Sequence, residues 1–252
     1  KNNLMKKNYN LLVLIITICV NSAFGFDASV PVLTSQLTED YPLEMPELKE
    51  YPIYINATVE DPDMIDLVTI TIDGVTYDAI QKNEFYYYSW TPSSYGVHEI
   101  LITAKAISGN ETFIIKNIEV TNTASSQVVE TFKDVVIEYG GENSRWYYGY
   151  YTLPQSIGAY DSINALFDVE CPSINGGCDD WDRWAHIDIK GPDGNWIQII
   201  RYITPYGVGC NHEIDLTDYM SLLQGEVELR VFIDTWGTGG WQLSLNLDYH
   251  QG

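Results

Sequence analysis

Leu67-Val68-Thr69-Ile70-Thr71-Ile72-Asp73-Gly74-Val75-Thr76-Tyr77 decides the fold class. Two β-branched, alternating runs flank Asp73-Gly74, a dipeptide suited to a two-residue turn in which both central residues take positive φ. The segment therefore reads as a β-hairpin. Working outward, the same texture recurs: predicted strands over 54–59, 85–90, 98–104 and 112–120 are separated by turn residues every 8 to 12 positions or so, the spacing of a sandwich. About seven strands precede the polar seam Thr121-Asn122-Thr123-Ala124-Ser125-Ser126, which reads as a short linker. Residues 27–122 are expected to form an immunoglobulin-like β-sandwich. Its texture is similar to that of bacterial Ig-like modules attached to secreted carbohydrate-active enzymes.

Beyond the seam, strands are predicted over 128–139, 146–151, 165–170, 184–189, 196–202, 226–234 and 241–249, with Pro192-Asp193-Gly194 turning one pair. One short helix is expected over 217–223, with Thr217 or Asp218 at its N-cap and Gly225 after its end. Antiparallel strands in this number suggest a jelly-roll sandwich over residues 127–252, so the whole chain is expected to be all-β.

The first residues read as an export signal over 1–25. Lys6 and Lys7 precede an apolar run over 11–20, and Ala23-Phe24-Gly25 supplies small residues for cleavage. The run is too short to span a bilayer as a helix. Met5 reads as the start, and lipidation at Cys19 is disfavoured because Ile18 stands where a small residue is needed. A secreted, periplasmic or cell-surface location follows, without a membrane anchor once the signal is cleaved. A formal charge of −22 excludes nucleic acid and anionic lipid as partners. No heptad or exposed repeat argues for assembly, so a monomer is the default.

Export makes disulfides stable. Cys171 and Cys178 are expected to close a short loop, which leaves Cys210 as a buried, inert thiol. That loop leads into Asp179-Asp180-Trp181-Asp182-Arg183-Trp184, carboxylates interleaved with aromatic and cationic side chains. Sugars stack an apolar face on rings while carboxylates accept their hydroxyl protons, so a carbohydrate site is expected here. A calcium reading of Asp179, Asp180 and Asp182 is weaker, because the spacing matches no known calcium loop. Cys210 and His212 lack the further ligands that zinc needs. Copper chemistry on a jelly roll would need more histidines than His186, His212 and His250. Tyr86-Tyr87-Tyr88 reads as core packing with one outward ring. The sequons at Asn56 and Asn110 matter only in a eukaryotic host.

Glu170-Cys171-Pro172, Cys178 to Arg183, Arg201 to Gly209, Glu213 to Tyr219, Ser221-Leu222-Leu223 and the strand from Glu228 to Trp236 occur in an order and spacing that resemble the N-terminal lobe of the peptide-N-glycosidase F family, over about residues 128–249. The resemblance implies an amidase that cleaves N-linked glycans from asparagine without metal or organic cofactor, with N-glycosylated proteins or glycopeptides as partners. It places Asp182 as the principal catalytic carboxylate and Asp234 as a second acid, usually glutamate in the family. It places Trp181, Arg183 and Trp236 on the substrate. It also implies a second jelly-roll lobe, expected beyond Gly252. The alternative is a non-catalytic glycoprotein-binding or adhesion protein of two β domains.

Overall fold

A computed structural model describes residues 29–251, and the leader read over 1–25 lies outside them. Among the described residues the architecture is all-β, apart from one 3-10 turn, and comprises two sandwiches. Among the described residues no helix is long and apolar enough to cross a membrane.

In the first sandwich one sheet has the order Val32–Ser35, Tyr51–Thr58, Phe85–Trp90, Ile80–Lys82. The facing sheet runs Leu43–Glu44, Glu111–Thr121, Gly96–Ala106, Ile65–Ile72, Val75–Asp78. Asp73 and Gly74 both take positive φ, 49° and 83°, and Ile72 pairs with Val75, as the opening hairpin requires. Alternate residues such as Ile53, Ile55, Ile70, Ile100 and Ile102 are fully buried between the sheets. Of the tyrosine triplet, Tyr86 is buried, while Tyr88 is partly exposed and stacks on Tyr77.

The second sandwich is a jelly-roll-type pair of sheets. Gly240–His250 and Ser162–Glu170 form the centre of one sheet, with Cys210–Asp215 at its edge. The other has the order Trp146–Leu153, Gly225–Ile233, Trp184–Lys190, Trp196–Ile203. Ile163, Ala165, Phe167 and Val169 from one sheet meet Ala185, Ile187, Leu229 and Val231 from the other in a common core.

Two expectations are corrected. The strand predicted over 128–139 is two strands, Gln127–Glu130 and Val135–Glu138, both paired with Gly240–His250. Asp134 at φ 50° breaks the run, and Phe132 turns into the core between the pieces. The helix over 217–223 is only the 3-10 turn Thr217–Tyr219, capped from outside by the Asp215 carboxylate on the Thr217 N–H at 2.9 Å. The two sandwiches also share a sheet. Gln155–Ser156 pairs in parallel with Leu43–Glu44 and so adds a strand from the second sandwich to a sheet of the first.

That seam is well satisfied. The fully buried Gln155 amide donates to the carbonyls of Thr38 and Tyr41, both at 2.8 Å, while its oxygen accepts from the Thr38 N–H at 3.3 Å. Tyr160 donates to the Glu44 carboxylate and accepts from Gln127 at 2.8 Å. Burial raises the Glu44 carboxyl above the usual range, and the Tyr160 hydrogen bond partly opposes this. Glu226 donates its N–H to the Gln36 carbonyl at 2.9 Å.

Candidate functional site

Three connections meet at one end of the second sandwich: the loop from Cys171 into Trp184, the turn around Thr204 to Gly209, and the loop from Asp234 to Gly239. Cys171 and Cys178 are disulfide-bonded, with Cα atoms 4.3 Å apart. Cys178 bridges to Gly240, which ties the cystine loop to the start of the last strand. Closing so short a loop is worth about 2.5 kcal/mol on the chain-entropy relation. A Cys171→Ser/Cys178→Ser protein is expected to lose about that much in urea unfolding, with its far-UV spectrum retained.

Asp179 is the electrostatic anchor. Its side chain is 2% exposed, and Arg183 addresses it as a fork, Nε to Oδ2 at 2.7 Å and Nη2 to Oδ1 at 2.8 Å. The Trp181 N–H also donates to Oδ1, at 3.0 Å. A buried carboxylate persists when paired and fully hydrogen-bonded in this way. Both oxygens are thereby engaged, so the calcium reading loses its first ligand. Among the described residues no group of three or more His, Cys, Asp or Glu side chains is placed to hold a metal ion.

Arg183 also reaches the Trp236 carbonyl at 3.4 Å, and its own backbone pairs with Thr204, N–H to Oγ1 at 2.8 Å and carbonyl to N–H at 2.9 Å. The Asp179 carbonyl accepts from the Gly207 N–H at 3.2 Å. One ion pair therefore fastens all three connections. Asp182, between the anchor and its guanidinium, is left facing solvent. Interaction with its carboxylate, by hydrogen bonding first and charge second, pushes the Tyr206 phenol up.

Asp234 sits one strand over, its N–H bonded to the Trp184 carbonyl at 3.0 Å. Its carboxylate accepts from the Trp236 indole at 3.1 Å and lies 3.7 Å from the Arg145 guanidinium. Arg145 lies over the Trp236 ring, 3.6 Å from its centroid, and Tyr139 stacks on the same ring at 5.3 Å. Trp181 and Trp236 remain 62% and 50% exposed, enough to offer ring surface to a ligand. The backbone thus brings Asp182, Asp234, Trp181, Trp236 and Arg183 to the same end of the sandwich, with Arg183 turned inward as a clamp.

Asp179, Arg145, Tyr139 and Tyr206 escaped the sequence reading in these roles. An Asp-x-x-x-Arg spacing at the cystine was the available signal for the anchor. Arg145 had none, since it arrives from the bend before Trp146–Leu153, remote in sequence. Cys210 is half-buried, and burial together with the nearby Asp168 charge pushes its thiol up, away from a reactive thiolate.

Residues 189–249 match the family described as Peptide-N-glycosidase F, N terminal. A curated relative, peptide-N(4)-(N-acetyl-beta-D-glucosaminyl)asparagine amidase F of Elizabethkingia miricola, is 36% identical over 126 residues. That match covers 48% of this chain and 35% of the relative, so the chain spans about a third of the relative's length. Among solved structures, PNGase F, a glycosylasparaginase from Flavobacterium meningosepticum, is 34% identical with a TM-score of 0.48, covering 51% of this chain and 43% of that one. A recombinant peptide:N-glycanase F gives 35%, 0.48, 51% and 43%. Asp234 and Trp236 lie inside the family match, whereas Asp182 and the cystine loop precede it. In sequence, this half of the chain is similar to the N-terminal part of peptide-N-glycosidase F, over residues 189–249 of the family match and the 126 residues shared with the curated amidase.

Proposed function

We propose that this chain supplies the first lobe of an exported amidase that cleaves the bond between N-acetylglucosamine and the asparagine side chain of N-glycoproteins. The observation that carries the reading is the Asp179–Arg183 clamp. It fixes the backbone on both sides of Asp182 while leaving that carboxylate in solvent beside exposed tryptophan. Asp182 then takes a proton from the attacking water as its oxygen bonds to the amide carbon. The C–N bond breaks, the nitrogen keeps the electron pair and gains a proton, and the products are a glycosylamine and aspartate. A positioned general base contributes roughly 10²–10⁴ in rate. Asp234 supports the second polar side of the substrate, and its shorter reach than glutamate is offset by the Trp236 indole that holds it. Trp181 and Trp236 stack on sugar.

The first sandwich is read as an immunoglobulin-like module ending near residue 122, with the lobe from 127 onward. Lettering its strands A to G in chain order, with C′ for 75–78, gives sheets A-B-E-D and C′-C-F-G. A monomeric protein without metal or organic cofactor fits this assignment. The competing reading, a glycoprotein-binding or adhesion protein that does not cleave, draws on the Arg145 contact that partly neutralises Asp234.

The test is glycan release from a denatured glycoprotein by the full-length protein. Asp182→Ala is expected to lower the rate at least about a hundredfold. Equal rates for the two proteins remove Asp182 from the mechanism. Absence of release by the wild type, with glycoprotein binding retained, favours the adhesion reading.

A further inference from the structure

The face of the Trp146–Leu153, Gly225–Ile233, Trp184–Lys190, Trp196–Ile203 sheet that turns away from the core is not an ordinary solvated surface. Residue pairing lays it out in rows. Phe232 is flanked by Trp146 and His186, with Arg201 beyond. Arg230 is flanked by Tyr148 and Asp188. Glu228 is flanked by Tyr150 and Lys190, with Trp196 beyond. Trp184 heads the array next to Asp234, whose N–H it binds through its carbonyl. From Trp184 to Lys190 the rows span roughly 20 Å at the rise of a strand.

The rings contact one another from Trp184 as far as Trp196. Trp184 packs on Phe232 and His186 at 5.2 and 4.9 Å, Trp146 on Phe232 at 4.6 Å, and Tyr148 on Trp196 at 5.9 Å. Cations are set among them: the Arg230 guanidinium lies 4.7 Å from Trp146 and 4.2 Å from Trp196. Beneath, the buried Asp188 accepts from Arg230 Nε at 2.8 Å and contacts His186 Nδ1 at 2.8 Å, which fixes the platform. Yet Trp184, Tyr148 and Tyr150 stay 43%, 48% and 78% exposed. In a chain with 13 basic and 35 acidic residues, Lys190, Arg201 and Arg230 on one face form a marked departure from the average surface.

At its far end the array opens into a cleft of about 760 Å³ between the sandwiches. Tyr150, Lys190 and Glu228 line it from one side, and Tyr54, Asn56 and Glu84 from the other. Rings for stacking, with amide, ammonium and carboxylate groups between them, match the alternating apolar and hydroxylated faces of an oligosaccharide. The surface joins the candidate site at one end and a polar cleft at the other.

We propose that this sheet face is a track for the antennae of an N-glycan, leading from the candidate site to the inter-sandwich cleft. The inference rests on the glycan-directed reading of the site, but not on cleavage.

The test is calorimetric binding of a free reducing biantennary N-glycan, which has no amide to cleave, and separately of its two-sugar chitobiose core. Tyr148→Ala/Tyr150→Ala is expected to weaken the biantennary glycan about twentyfold, which at 1.4 kcal/mol per tenfold is about 1.8 kcal/mol shared by two modest ring contacts. Chitobiose should change less than twofold, and Tyr148→Phe/Tyr150→Phe, which keeps both rings, should bind the large glycan almost as the wild type does. Unchanged affinity of the double alanine protein for the large glycan overturns the track. So does failure of the wild type to distinguish the two ligands, or a concentration-dependent dimer in sedimentation that the double alanine change abolishes. If Asp182→Ala still releases glycans, the catalytic assignment fails while the antenna-specific binding difference stands. If the track fails, release from core-only glycopeptides is untouched.

Discussion

Asp179→Ala is expected to cost about 3–5 kcal/mol in denaturant unfolding, the size seen when one partner of a buried pair is removed and the other is stranded. The Arg183 guanidinium is 15% exposed and faces no other carboxylate in its contacts, so without Asp179 it must leave for solvent or remain buried and unpaired. The substitution itself removes the acceptor of the Trp181 N–H, and a departing Arg183 would break its contact to the Trp236 carbonyl. The three connections would then lose their common fastening, and Asp182 its fixed position. Glycan release should therefore fall together with stability. Asp179→Ala/Arg183→Met should recover much of the stability, because no charge is left buried, but not the rate. Recovery of both would show that the clamp has no part in placing Asp182.

Gly225→Ala should be comparably severe and should act on the seam. Gly225 has φ +66°, a conformation that side chains disfavour, and an added Cβ would lie 2.1 Å from the Gln36 carbonyl oxygen. That oxygen is main chain and is already held by the Glu226 N–H at 2.9 Å, so it cannot retreat without breaking the seam. Strain of about 1–3 kcal/mol for the backbone conformation adds to the loss of that hydrogen bond and its neighbours. Differential scanning calorimetry should show the melting temperature lowered and the single transition split in two as the sandwiches uncouple. One sharp, unshifted transition would mean that the seam contributes little.

The parts of this architecture that announce themselves in sequence are local. Asp73-Gly74 dictates its turn through backbone conformation alone, and the alternation over 162–170 and 240–250 reproduces the burial of every second side chain. The cystine loop was legible because Cys171 and Cys178 stand only seven positions apart. Contacts between distant segments were not. Leu43–Glu44 and Gln155–Ser156 are two residues each, too short for any period, and are defined by pairing alone, Leu43–Glu44 lying between Glu111–Thr121 and Gln155–Ser156. Cys210–Asp215 was not read as a strand because its exposed edge carries Asn211, His212 and Glu213 with one apolar residue, Ile214, to mark the inner face. The break at Asp134 hides inside a run of valine and lysine that either conformation would tolerate.

At the site, sequence located the carboxylates but could not separate the structural one from the one left free. Asp179, Asp180 and Asp182 differ only in burial and partners, and Arg183 makes the choice. Likewise Trp184, His186, Asp188 and Lys190 look like the solvated side of a strand until Trp146, Arg230 and Trp196 arrive from elsewhere to make them a surface.

The short parallel pairing at the seam also constrains the order of events during synthesis. Leu43–Glu44 cannot acquire its outer neighbour until residue 155 has left the ribosome, more than a hundred positions later. Until then the nascent first sandwich carries an open edge, the kind that invites mispairing with another chain. Completion of that edge therefore waits on the second sandwich, and a chain ending between residues 122 and 155 should aggregate more readily than the full-length protein.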